Sequence, residues 1–153
     1  SSDLVGRRVD FVFQGSSALA LDGKGRMTVP ARHREPLAAL SGNELTITKH
    51  PQRCLMLFPR PAWIEFRSKI LATTMAGDPY RRLFVGGAAD VELDAGSRVL
   101  IAPELRDWAG LGRDVMLLGM GSRFEIWDRA RLQAHEDSLL EAPLPPAIAD
   151  LVL

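Results

Sequence analysis

LDGKGRMTVPARHRE, residues 21–35, and LDAGSRVLIAPELRD, residues 93–107, are two spellings of one pattern. Each opens Leu-Asp-x-x-x-Arg, continues with alternating apolar residues, reaches a Pro, and runs into a short helix-like segment. One constant offset separates Asp22 from Asp94, Arg26 from Arg98, Val29 from Ile101, and Arg34 from Arg106. Further along the offset shortens slightly, where LMLFPRPAW (55–63) aligns with FEIWDRARL (124–132). A shorter loop in the second copy accounts for the slip. The chain is therefore a tandem repeat, and that decides its architecture. One such β-α-β-β unit is too small to bury both faces of its sheet. Two units complete each other, and pseudo-twofold interleaving of hairpins is the economical arrangement.

Local signals place the elements. SALAL and RMTVP flank Asp22-Gly23-Lys24-Gly25, and the glycines predict a hairpin or tight loop. ARHREPLAAL reads as a short helix. NELTITKH alternates with period two, Leu45 and Ile47 facing one way. CLMLF reads as a buried strand. Pro59 and Pro61 open a helix, Pro being tolerated in a first turn. Its stripe is Trp63, Phe66, Ile70 and Leu71. A linker helix is expected with Asp78 as cap, Tyr80, Leu83 and Phe84 as apolar face, and Gly86-Gly87 as stop. Asp128 caps a final helix carrying Leu132, His135, Leu139 and Leu140. The Pro-rich end, EAPLPPAIADLVL, is expected to be loosely ordered.

The chain has 153 residues, 46% of them hydrophobic, so it can build a real core. Its formal net charge is zero. Any polyanion site must then be local, with the acids placed elsewhere. One cysteine, Cys54, excludes an internal disulfide and fits a reducing, cytoplasmic setting. No apolar run approaches the roughly 20 residues of a membrane span, and no leader segment is expected.

Enzyme chemistry finds no support. Cys54 sits in an apolar strand context, which suits a structural thiol better than a reactive one. His33, His50 and His135 are scattered, without metal-ligand spacing. DGKGR lacks the spacing of a phosphate-binding loop, and no serine has a nucleophile-elbow context. No cofactor and no metal are expected.

The repeated loop has two readings. Asp22 can cap loop N–H groups and pair with Arg26, which fixes the turn. Yet residues 22–34 carry Lys24, Arg26, Arg32 and Arg34 against the single acid Asp22, so the segment is locally basic. Arg offers a rigid fork that matches guanine O6 and N7 in the major groove. Lys24 meets phosphates as a point charge, and Asp22 holds the fork in register. Arg32 and Arg34 are further candidates for phosphate contact. The second loop has Asp94 and Arg98 but no lysine, so it binds less strongly.

FQGSSALALDGKGRMTVPARHRE (13–35), LMLFPRPAW, RRLFVGGAADVELDAGSRVLIAPELRDWAGL (81–111) and VMLLGMGSRFEIWD (115–128) together resemble the MraZ family of bacterial transcriptional regulators. The likeness covers roughly residues 13–140. It implies an α+β, mostly β fold: a double-ψ, swapped-hairpin AbrB-like barrel built from two SpoVT-AbrB-type repeats with flanking helices. The expected division is an N-terminal extension (1–15), repeat one (16–62), linker helices (63–89), repeat two (90–131), and a C-terminal helix and tail (132–153). Arg7 and Arg8 in the extension are assigned no role. The resemblance further implies sequence-specific binding of double-stranded DNA through Asp22, Lys24, Arg26, Asp94 and Arg98. It implies repression of the family's own division and cell-wall gene cluster, at operator boxes upstream, by a homo-oligomeric ring in the cytoplasm and nucleoid. One departure is Ser97, where the family usually has Gly. At a positive φ it costs about 1 kcal/mol or shifts Arg98. The alternative, from another class, is an antitoxin-like protein-interaction module that docks a partner through its apolar tail.

Overall fold

The computed structural model describes residues 12–153, so Arg7 and Arg8 lie outside the described residues. The first repeat contributes β1 (Ser16–Ala20), β2 (Arg26–Thr28), α1 (Ala31–Ser41), β3 (Glu44–Lys49), β4 (Leu55–Pro59) and α2 (Arg60–Leu71). A 3-10 turn (Met75–Gly77) and α3 (Asp78–Phe84) lead into the second. There follow β5 (Ala89–Glu92), β6 (Arg98–Leu100), α4 (Pro103–Ala109), β7 (Asp114–Gly119), β8 (Phe124–Asp128), α5 (Arg129–Glu141) and α6 (Pro146–Val152). The class is mixed α+β, with eight strands and six α-helices among the described residues.

Six strands form one antiparallel sheet in the order β1-β7-β8-β4-β3-β5, open at β1 and β5. The two hairpins, β3–β4 and β7–β8, meet at its centre through β4 and β8. Each hairpin takes its outer neighbour from the other repeat. β1 pairs with β7, Ser16 opposite Leu118, and β5 pairs with β3, Glu44 opposite Glu92. The remaining strands, β2 and β6, pair only with each other. Both edges of each hairpin are thus satisfied by the other repeat, which leaves neither copy a complete sheet alone.

The main core lies between this sheet and the β2–β6 ladder with α1 and α4. Leu45, Ile47, Leu55, Leu57, Val115, Leu117, Phe124 and Ile126 point inward from the sheet. Met27, Val29, Val99 and Ile101 meet them from the ladder side, with Leu37 and Leu105 from the helices. Full burial of such side chains is worth roughly 1.5–3 kcal/mol each. Phe13, which the sequence reading puts in the extension, joins this core. It bridges to Gly121, and its ring lies 4.4 Å from that of Phe124.

The opposite face of the sheet is covered by helices. Met56, Phe58, Trp63 and Phe84 form one cluster under α2 and α3. Cys54, Trp127 and Leu132 form another under α5. Because both faces are covered, β3 is buried on both, not half-exposed as its alternation suggests. Thr46 and Thr48 are fully buried, and their hydroxyls donate to Asp90 Oδ1 and to the Phe84 carbonyl. Burial pushes the Cys54 thiol well above its ordinary value, with the Glu125 charge adding to this, so it stays protonated.

Other expectations change. Strands β1 and β2 do not pair as a hairpin across the Asp22 loop, because each has a partner in the other repeat. Asp78 is the first residue of α3 and not its cap, and its carboxylate pairs with Arg81. Asp128 does cap α5, accepting from the Arg131 N–H at 3.2 Å. Leu71, Leu139 and Leu140 leave their helices' buried stripes and are exposed. The C-terminal segment is helical over α6, its start set by Pro145 and Pro146.

His33 on α1 is buried, its ring edge-on to Phe13 and Phe124. Desolvation, and then the Arg32 charge, lower its pKa below the ordinary 6.5. His50 is lowered too, first by burial, with Glu125 opposing. For a histidine held neutral by the fold, the unfolded chain binds more protons in acid. Its stabilising contribution is complete above pH 6.5 and is lost as pH falls below that. Urea unfolding midpoints are therefore expected to fall between pH 7.5 and 5.5, and to fall less in His33→Phe. An identical decline in both proteins rules out His33 as a source.

Candidate nucleic-acid interface

The Asp22 and Asp94 loops have one internal design. In the first, Asp22 Oδ1 accepts from the backbone N–H of Lys24 and of Arg26, each at 2.9 Å. Asp22 Oδ2 accepts from Arg26 Nε at 2.6 Å. In the second, Asp94 Oδ1 accepts from the N–H of Gly96 (2.8 Å) and Arg98 (2.9 Å), and Oδ2 from Arg98 Nε at 3.0 Å. One carboxylate oxygen thus builds the turn and the other aims the arginine. Among the described residues no hydrogen bond within the protein takes the terminal Nη groups of Arg26 or Arg98. Each fork is held at its root and open at its tip.

The backbone N–H of Arg26, with the guanidinium and the Lys24 N–H, holds the Asp22 carboxyl down at about 2. Asp94 is lowered by the equivalent bonds from Arg98 and Gly96. Both loops keep their anchoring charge at neutral pH. Lys24 is exposed at the tip of the first loop.

The ladder joins the loops. Arg26 opposes Leu100, Met27 opposes Val99, and Thr28 opposes Arg98. Beyond the ladder, Val29 N–H donates to Ser97 O at 2.9 Å and Ile101 N–H to Gly25 O at 3.0 Å. Met27 and Val99 turn inward and are wholly buried. Their neighbours must turn outward, since strand side chains alternate. Arg26 and Arg98 therefore stand on one outward face, their side chains 28% and 37% exposed.

The other sequence candidates take different places. Arg34 Nε donates to Val29 O at 2.9 Å, and its repeat counterpart Arg106 does the same to Ile101 O, also at 2.9 Å. Arg32 Nη2 donates to Ser17 Oγ at 2.6 Å, tying α1 to β1. These bonds give Arg32 and Arg34 a structural task that the sequence does not announce. Arg106 also lies against the first loop. A Cβ on Gly25 (φ +83) would stand 2.5 Å from Arg106 Cζ. Ser97, at the equivalent position, has φ +58 and carries its Cβ. The serine side chain is thus accommodated at a strained backbone. Two basic residues escape the sequence reading. Arg106 is visible there only as a repeat marker, the counterpart of Arg34, and Arg113 has no signal at all. Both line a groove of about 540 Å³ beside Asp22 and Gly23.

The sequence profile of a family described as "MraZ protein, putative antitoxin-like" matches the chain twice, over residues 12–82 and 84–153. The chain is 57% identical over 141 residues to a protein of Methylibium petroleiphilum named "Transcriptional regulator MraZ", covering 92% of this chain and 97% of that one. A protein of the same name from Leptothrix cholodnii is equally similar. Another, from Acidovorax sp., is 50% identical over 139 residues, covering 91% and 98%.

Proposed function

The chain belongs to the MraZ family of transcriptional regulators, and from that premise we propose that it binds duplex DNA through the outward face of the β2–β6 ladder. The observation that carries this is the pair of arginines on one exposed face, each locked at Nε by its own aspartate and open at Nη. A neutral chain has no general attraction to polyanions, so this local arrangement supplies the specificity. Arg26 and Arg98 read guanine O6 and N7 bidentately. Asp22 and Asp94 orient them, and Lys24 and Arg113 meet phosphates. Arg32 and Arg34 contribute by holding β1 and β2 in place, with any phosphate contact made by their remaining N–H groups.

The family resemblance extends the proposal. The regulator represses its own division and cell-wall gene cluster in the nucleoid, as a ring whose subunits engage a series of operator boxes. One face with two arginines binds weakly. Linked copies raise effective concentration and multiply affinity without new contacts, if box spacing matches subunit spacing. Strand exchange through β1 and β5, and the shared ladder, support reading the repeats as swapped hairpins closing a barrel-like core.

The test is a footprint of the full chain on DNA upstream of its own gene, followed by binding at increasing salt. Protection of spaced repeats is expected, with log K falling against log salt by about 0.9 per phosphate contact. Binding without sequence preference refutes the reading. A second reading rests on the exposed apolar residues of the C-terminal segment, Leu139, Leu140, Leu151 and Val152. They suit an antitoxin-like contact with a protein partner. Stoichiometric co-purification of such a partner, without protection of DNA, favours it.

A further inference from the structure

The outward face of the ladder carries four side chains, and the arginines are only two of them. Directly opposed residues of an antiparallel pair share a face, as do residues i and i+2. The pairs Arg26–Leu100 and Thr28–Arg98 therefore make one patch, with Met27 and Val99 buried beneath it. Thr28 and Leu100 are separated by the same repeat offset as Arg26 and Arg98, so they are equivalent positions. One half has a small hydroxyl side chain there. The other has an apolar one, half exposed (50%), that packs into none of the hydrophobic clusters of the described residues.

Position gives Leu100 its meaning. Opposed Cβ atoms lie roughly 4.5–5.5 Å apart, and diagonal ones roughly 7–8 Å. Arg26 and Arg98 are diagonal neighbours, a spacing of about two base-pair rises of roughly 3.4 Å. Leu100 stands directly beside Arg26 on a two-stranded ribbon, an element of the width the major groove admits. The only apolar group a base pair presents in that groove is a pyrimidine 5-methyl. Its basic neighbours select DNA as the occupant of this patch rather than another apolar protein surface.

On the DNA-binding reading above, we propose that Leu100 is a specificity-determining residue: it packs on the thymine 5-methyl group next to the base pair read by Arg26. Thr28 faces the base read by Arg98 with a hydroxyl in place of the leucine side chain. The two halves of the patch thus differ although their loops match, so the bound site is directional and not palindromic.

The experiment selects the tightest duplex for the wild-type chain from a random-sequence pool. Each thymine of one box is then replaced in turn by deoxyuridine, which removes only the methyl. One position is expected to cost wild type about fourfold in affinity, the equivalent of about 0.8 kcal/mol for one buried methyl-sized group. Leu100→Ala is expected to bind the unmodified duplex about fourfold more weakly and to ignore that replacement. If no deoxyuridine weakens wild-type binding, or if Leu100→Ala keeps the full penalty, the inference falls. The deoxyuridine scan uses wild-type protein and stands even where the variant misfolds. Arg26→Ala on the same duplex reports separately on the DNA-binding reading. Its loss of binding, with no deoxyuridine effect in wild type, overturns the role of Leu100 alone. A pool that yields no preferred duplex overturns both.

Discussion

Arg26→Ala is expected to lose specific DNA binding by at least about fivefold per site while the protein stays folded. A bidentate arginine–guanine pair is worth about 1–3 kcal/mol of discrimination, or roughly fivefold to 150-fold. In the proposed ring every subunit would carry the lesion, so losses at the proposed successive boxes would compound. The fold has little at stake in this side chain. Among the described residues its side chain bonds only to Asp22 in an exposed loop, and the core under the ladder is made by Met27 and Val99. Arg26→Lys keeps the charge but not the fork, and is expected to retain non-specific, salt-sensitive binding while losing preference among duplexes. Arg98→Ala should behave like Arg26→Ala but with a smaller loss, since its loop has no lysine. Mobility-shift titrations alongside thermal unfolding measure all of this. Wild-type affinity in folded Arg26→Ala removes the mechanism.

Gly25→Ser is expected to destabilise the protein by about 2.5–5 kcal/mol, the sum of a backbone effect and a displaced hydrogen bond. Ser97→Gly is expected to stabilise it modestly instead. The two positions are equivalent in the repeat, and both have positive φ. An L-residue there costs about 1–2 kcal/mol. At Ser97 that strain is already present, and glycine relieves it, less its own entropy cost in the unfolded chain. At Gly25 a second effect joins it. The new Cβ would meet the Arg106 guanidinium, which its bond to Ile101 O holds in place. Displacing a charged donor from its acceptor costs roughly 1.5–3 kcal/mol. The effects separate in a cycle: in Arg106→Ala, the cost of Gly25→Ser should shrink to the backbone part. Urea unfolding with unchanged slope is the readout. If the cost does not shrink, Arg106 plays no part in requiring glycine at 25.

Much of this was legible in one dimension. A shared offset between Asp22 and Asp94, and between Arg26 and Arg98, identifies a duplicated loop from residue identities alone. Period-two alternation places Leu45 and Ile47 in the core, and both are wholly buried. These readings succeed because they depend on local backbone geometry, which neighbouring residues dictate. Thr46 and Thr48 defeat the same alternation, since a second covering layer, α2 and α3, comes from residues well downstream. Leu139 and Leu140 defeat helical periodicity in the opposite sense: only the first part of α5, through Leu132, packs into the sheet-side cluster, and the last turn is exposed.

By itself, then, the chain specified a duplicated β-α-β-β unit (β2-α1-β3-β4 and β6-α4-β7-β8) preceded by a carboxylate-and-arginine turn, because spacing and residue type suffice to build an Asp-capped loop. Only the tertiary structure decided that β1 and β5 cross to the opposite repeat, that β2 and β6 find each other, and that Arg34 and Arg106 brace backbone carbonyls. Those choices turn on which unpaired strand edge and which apolar surface is available once two half-sheets collide. That is a property of the assembled pair, and no single stretch of sequence contains it.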